Sequence, residues 1–316
     1  MSDPTVSPLE GAGVPIGEPE ALLPPAQESD SLGWMAGVGA YAIWGVLPIY
    51  IKMLDHVAAL EFVGHRIAWS FPFLALILWY RGLWGHLWKA MTHRRTLLIL
   101  SGTAVLIFVN WLVFIYAAFT DQVLQGSLGY FINPLVSVGL GCLFFSERLR
   151  PLQIVSLCLA SLGVLVQVVA VGVFPWIALT LALSFAFYGL LRKIVHAGSV
   201  EGLAAETLLL SPLAVGYIAF LLLRGTSSFT HAGMATDLLL LAAGPVTVIP
   251  LLLFTIAARR LPLSTVGFLQ YIAPSLQFAC AVFLFKEAFD SARLASFALI
   301  WIALFVFSLD AMRRRR

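Results

Sequence analysis

The chain has 316 residues, of which 60% are hydrophobic and 11% charged, with a net charge of +3. A soluble domain has about a quarter of its residues charged, so a water-soluble enzyme is excluded and a polytopic membrane protein is left. Cys142, Cys158 and Cys280 lie singly in apolar runs and make neither a disulfide framework nor a metal set.

Residues 1–32 carry Asp3, Glu10, Glu18, Glu20, Glu28 and Asp30 with no lysine or arginine, which predicts a disordered acidic cytoplasmic tail and no signal peptide. Ten apolar spans follow, near 34–54, 60–80, 96–118, 124–145, 151–171, 174–192, 203–223, 237–258, 264–285 and 293–311. About 20 apolar residues cross the hydrocarbon layer as a helix, and helices satisfy their own backbone in lipid. The expected fold is therefore all-α, a polytopic bundle of ten transmembrane helices joined by short loops. Residues 312–316 form a basic cytoplasmic tail.

The first span carries Trp44 and Tyr50 and ends at Lys52. The second opens with Glu61, His65 and Arg66; Glu61 and His65 stand four apart and share a helix face. A charge at membrane depth faces a cavity or a partner, so these three and Glu206 of the seventh span are candidates for proton coupling or gating. The alternative places Glu61 and Arg66 in the outer headgroup zone. Arg66 and Glu206 are not expected to pair, because the two helices start on opposite membrane faces. Asn110 and Trp111 sit midway along the third span, and Asn110 must bond to a helix, water or ligand. Tyr130, Asn133 and Pro134 cluster in the fourth span, and Gln270, Tyr271, Pro274 and Gln277 in the ninth. Pro134, Pro250 and Pro274 are candidate helix breaks, each freeing a carbonyl one turn upstream. In the fifth span, Gly163 between Gln153 and Gln167 fits a structural or homodimer helix. In the sixth, Ala178, Ala182 and Ala186 make a small-residue packing face, followed by Tyr188 and Arg192.

A repeat orders these elements. SLGYFINPLVSVGLGCLFFSE (127–147) returns as GFLQYIAPSLQFACAVFLFKE (267–287), matching Pro134 with Pro274 and Glu147 with Glu287. In the same register Glu61 meets Glu201, Arg66 meets Glu206 and Asn110 meets Pro250. The chain thus divides into residues 33–171 and 172–311, five spans each. With an odd number of spans the second copy enters the membrane from the opposite side, giving two inverted five-helix repeats, a recurring design of secondary transporters. With the N-terminus inside, inner loops and tail hold Arg81, Lys89, Arg94, Arg95, Arg148, Arg150, Arg192, Lys193, Arg259, Arg260 and Arg313–Arg316. The outer loops hold only Lys52, Arg224, Lys286 and Arg293, so both termini are cytoplasmic. Glu147 and Glu287 end equivalent spans and suit caps, topology markers or gate latches.

No phosphate-binding loop, zinc motif or serine–histidine–aspartate set appears, so no cofactor, metal or enzymatic activity is expected. The runs YAIWGVLPIY (41–50), EFVGHRIAWS (61–70), SLGYFINPLVSVGLG (127–141), ALSFAFYGLLRK (182–193), PLLLFTIAARRLPLSTVGFLQYIAP (250–274) and SFALIWIALFVFS (296–308) resemble the RarD proteins. These are a branch of the EamA-like families in the drug/metabolite transporter superfamily. The resemblance runs from Trp34 to Asp310. It implies ten helices in the bacterial inner membrane, and a cavity on helices that here carry Trp44, Asn110, Tyr130, Asn133, Tyr188, Gln270 and Tyr271; Gln277 joins this candidate set from its place in the ninth span. The expected function is a permease of small organic solutes, with the solute and membrane lipids as partners and no nucleic acid. A non-transporting scaffold or regulatory subunit and a lipid flippase are the alternatives.

Overall fold

The computed structural model describes residues 31–145, 150–170, 172–261, 266 and 269–313. The acidic stretch before Ser31, Glu147, Arg148 and Arg314–Arg316 lie outside the described residues. The helices are α1 (Ser31–Lys52), α2 (Ala59–Tyr80), α3 (Trp84–Thr92), α4 (Arg94–Phe119), α5 (Val123–Phe145), α6 (Pro151–Ala170), α7 (Trp176–Ile194), α8 (Ser199–Arg224), α9 (Met234–Arg260), α10 (Ile272–Ala279) with a π-helical turn Cys280–Leu284, and α11 (Ser291–Arg313). Among the described residues nine helices are long and apolar enough to cross a membrane. Of the expected ninth span, 264–285, the described part is the shorter apolar helix Ile272–Leu284, preceded by a turn at Gln270–Tyr271.

Between the second and third expected spans lies a further helix, α3. Leu87 and Ala90 turn inward while Trp84 and Trp88 stay exposed, the pattern of a short interfacial helix. Glycine sets the ends of the helices around it. Gly82, at φ 65, stops the chain after α2, and Gly225, at φ 67, closes α8 with its N–H on the Leu222 carbonyl. A left-handed residue there suits glycine, which has no Cβ to clash.

Helix starts recur along the chain: Ala59 and Ser199, Arg94 and Met234, Pro151 and Ser291 are each separated by 140 residues. The packing joins helices far apart in the chain. α1 lies on α9 and α10, while α7 lies on α4 and α5; α2 packs on α8, and α6 on α11. Small residues permit the tightest crossings, as expected where lipid supplies no hydrophobic drive between helices. A Cβ on Gly129 would come within 2.6 Å of the Ala178 carbonyl oxygen, and one on Gly163 within 3.0 Å of the Ser296 oxygen. The alanine ladder of α7 is accordingly buried against α5. Gly163 is occupied by α11 of the same chain, where Ser296 Oγ donates to its carbonyl at 2.8 Å.

Two expected helix breaks are absent. α5 and α9 continue through Pro134 and Pro250, because one missing N–H removes a single rung and the turns on either side keep theirs. Pro274 instead falls in the first turn of α10, where an N–H has no intrahelical acceptor in any case.

Candidate functional site

α4, α5 and α7 are joined by side chains of the candidate set. Asn110 Nδ2 donates to the Leu181 carbonyl at 3.1 Å and to Ser184 Oγ at 3.0 Å, and its oxygen accepts from Tyr130 Oη at 2.9 Å. Asn133 Nδ2 donates to the Ala182 carbonyl at 3.1 Å. Both amides therefore tie α4 and α5 to α7. The Tyr130 ring meets Phe185 edge-on at 6.1 Å, and Phe185 stacks on Tyr188 at 5.9 Å. Arg66 enters this wall from α2, with its guanidinium carbon 4.4 Å from the centre of the Trp111 ring.

Tyr188 leads to the Glu206 cluster. Its hydroxyl donates to Glu206 Oε2 at 3.2 Å, and Arg192 Nη1 lies 3.8 Å from Glu206 Oε1. Arg192 also donates from Nη2 to the Gly198 carbonyl at 3.0 Å, and its guanidinium lies where a Cβ on Gly202 would stand. Glu206 is 1% exposed. The carboxylate of Glu206 is thus met by Arg192, and Arg66 is not its partner.

Glu61 is held differently. Its carboxylate accepts from Ser227 Oγ at 2.8 Å, the Ser228 N–H at 2.7 Å, Ser228 Oγ at 3.1 Å and the Phe229 N–H at 3.3 Å. It anchors the loop between α8 and α9 to the start of α2. His65 Nδ1 accepts from Trp69 Nε1 at 3.1 Å, which fits the neutral Nε2–H tautomer; its ring lies against Phe229. Neither the serine pair nor its loop was singled out by sequence, although Ser227–Ser228 beside two apolar spans is a signal for an ordered turn.

A second group forms on α1, α9 and α10. Trp44 contacts Tyr41 and Phe254 through ring centroids 5.4 and 6.1 Å apart, and Gln277 Nε2 donates to the Trp44 carbonyl at 3.1 Å. Gln270 and Tyr271 sit in the turn before α10, both half-buried. The candidate residues therefore make two walls, one on α4, α5 and α7 and one on α1, α9 and α10.

At one end of the bundle, Lys52 Nζ pairs with Asp121 Oδ1 at 2.6 Å. Glu287 accepts from the Val123 N–H at 2.7 Å and the Leu124 N–H at 2.9 Å, capping α5 from the connection that follows the π-helical turn. Burial pushes the Glu287 carboxyl above the usual carboxylate range and Asp121 adds to this, against the pull of the two N–H groups and Arg293. A separate cavity of about 470 Å³ between α2, α4 and α8 is lined by Leu60, Ile67, Phe108, Leu210 and other apolar groups. It holds none of the candidate polar residues and fits lipid or packing better than a polar solute.

The model of the EamA-like transporter family matches residues 31–169. An uncharacterized transporter of Vibrio cholerae is 44% identical over 92% of this chain and 97% of its own length. Protein RarD of Escherichia coli is 43% identical over 90% of this chain and 96% of its own. Chloramphenicol-sensitive protein RarD of Pseudomonas aeruginosa is 31% identical over 90% and 96%. A crystal structure that is 19% identical aligns with a TM-score of 0.59, covering 90% of this chain and all of the other, and shares the fold. With identity at this level across nearly the whole length, the chain belongs to the EamA-like transporter family, among the RarD proteins.

Proposed function

We propose that this chain is a secondary permease moving small organic solutes across the bacterial inner membrane by alternating access between two inverted five-helix halves. The observation that carries this reading is the recurrence of helix starts at 140 residues, together with the exchange of α1 and α7 between the halves. Five spans per half place the halves in opposite orientations, and rocking one against the other opens a shared site to alternate faces. The family match to residues 31–169 covers α1 to α6, one such half. The bias of arginine and lysine puts both termini in the cytoplasm.

In that orientation the outer end is held shut by Lys52–Asp121, by Glu287 on the α5 N-terminus and by Glu61 on the α8–α9 loop. The Tyr188–Glu206–Arg192 cluster stands toward the inner end. A carboxylate that must leave or regain an arginine as helices move is suited to proton coupling, so Glu206 is assigned that role ahead of Glu61, which holds a loop. The solute lies between the Asn110–Tyr130–Asn133 wall and the Trp44–Gln270–Tyr271–Gln277 wall. The test is uptake and efflux of a broad small-solute mixture by the purified chain in vesicles with an imposed pH gradient. Saturable movement that slows in Glu206→Gln supports the reading. Equal leakage from protein-containing and empty vesicles supports a scaffold instead.

A further inference from the structure

Among the described residues three buried side chains are of charged type: Glu61 and Glu206, each 1% exposed, and Arg66, 6% exposed. Glu61 accepts four hydrogen bonds, and Glu206 is met by Tyr188 and Arg192. Arg66 has no ion pair among the described residues, and its Nε–H has no acceptor. An uncompensated charge at this depth is costly and faces a partner or a cavity. The Trp111 face, 4.4 Å from the guanidinium carbon, returns part of that cost as a cation–π contact. That contact uses the face of the guanidinium and leaves its in-plane donors unspent.

The other half of the molecule sharpens the contrast. The residue 140 positions beyond Arg66 is Glu206, which answers Arg192; the residue 140 positions before Arg192 is Lys52, which Asp121 answers. Each of those cations has its carboxylate within the chain. Among the described residues the groups that answer Arg66 are aromatic: Trp111, with Tyr50 and Tyr130 as its electrostatic neighbours. Tyr50 Oη donates to the Leu239 carbonyl at 2.6 Å and Tyr130 Oη to Asn110 at 2.9 Å, so both O–H donors are spent. All three rings are half-buried and keep some accessible surface.

We propose that Arg66 is the anion-binding residue of the permease and that its solute is an amphipathic organic acid. The carboxylate takes the edge of the guanidinium and the apolar body lies against Trp111, Tyr50 and Tyr130. A planar guanidinium fork matches a carboxylate through two parallel N–H···O bonds, which would occupy the idle Nε–H and neutralise the charge. A neutral solute leaves that charge unanswered, and a cationic one adds to it. This inference rests on the permease reading and names its solute class.

The test compares three ring-matched probes, phenylacetate, phenylacetamide and phenethylamine, at pH 8 against the purified full-length chain. Melting temperature and tryptophan fluorescence are followed as each is titrated. Phenylacetate alone is expected to raise the melting temperature and change the fluorescence. Its affinity should fall by about ten- to a hundredfold in Arg66→Gln, the loss of a charge-assisted bond pair. Arg66→Lys, which keeps the charge without the fork, should fall between, and it carries the comparison if Arg66→Gln does not run as a folded species on gel filtration. The proposal is overturned if phenylacetate at about 10 mM leaves the wild type unchanged, if Arg66→Gln and Arg66→Lys both bind it as well as the wild type, or if the amide or amine matches the acid. None of these results touches the permease reading, which the vesicle experiment tests with solutes of every charge.

Discussion

The Gln277 side chain donates to the carbonyl of Trp44 at 3.1 Å, and that carbonyl is available because Pro48, four residues on, has no N–H to give it. Pro48 lies inside α1 and Gln277 inside α10, so a gap in one helix is filled by the other. Replacing Gln277 by leucine should destabilise the detergent-solubilised protein by about 1 kcal/mol, the scale of an interhelical bond in a membrane. In a Pro48→Ala background the same change should cost less, because an alanine in place of the proline supplies the missing N–H. Equal losses in the two backgrounds, read by SDS titration, would contradict the pairing.

Gly202 tests the Glu206 cluster. A methyl group there occupies the space of the Arg192 guanidinium and must push it from Glu206. Gly202→Ala should therefore reproduce the transport defect of Arg192→Gln while leaving the melting temperature near that of wild type, since a flexible side chain can move aside. Gly129→Ala should do the reverse: its Cβ meets the Ala178 backbone, which cannot yield, and stability should fall by about 1–3 kcal/mol.

Glu61 and Glu206 should separate by phenotype. Glu61→Ala leaves the Ser227–Phe229 donors without an acceptor and should destabilise by about 3 kcal/mol, while Glu61→Gln should keep a transport rate that varies with pH as in wild type. Glu206→Gln should flatten that dependence. A flat profile in Glu61→Gln with a normal one in Glu206→Gln would exchange the two roles.

Glu287 gives a pH dependence of stability with a definite sign. Its folded carboxyl is raised, chiefly by burial. Its contribution is then full below the unfolded value of about 4.3 and is lost as pH rises through the folded value. The melting-temperature difference between wild type and Glu287→Gln should favour wild type most at the acid end and shrink as pH rises from there. A difference that widens with pH would show that the two N–H groups of Val123 and Leu124, with Arg293, outweigh burial.

Much of the architecture was legible because apolar length and the 140-residue register are properties of the sequence itself. The span limits near 60–80, 96–118 and 151–171 fall close to α2, α4 and α6. What pattern cannot supply is the identity of a polar group's partner. Glu61 looked like a membrane-depth carboxylate, and its donors come from a loop more than 160 residues away. Prolines show the same limit: Pro134 and Pro250 remove one rung each and leave α5 and α9 continuous, while Pro48 creates the acceptor for Gln277. The nine-residue α3 is not legible in apolar length, because it is too short to span.

The most direct test of alternating access locks one face at a time. In a chain with Cys142, Cys158 and Cys280 changed to alanine, Lys52→Cys and Asp121→Cys are joined by a short thiol cross-linker, and Arg192→Cys and Glu206→Cys likewise in a second chain. Transport in vesicles is then measured before cross-linking, after it and after cleavage of the linker. The Lys52–Asp121 link should stop transport, because the outer end can no longer open, and cleavage should restore it. The second chain should be slow throughout, having lost Glu206, and the link should stop what remains. Undiminished transport with the Lys52–Asp121 link closed would contradict alternating access through that end.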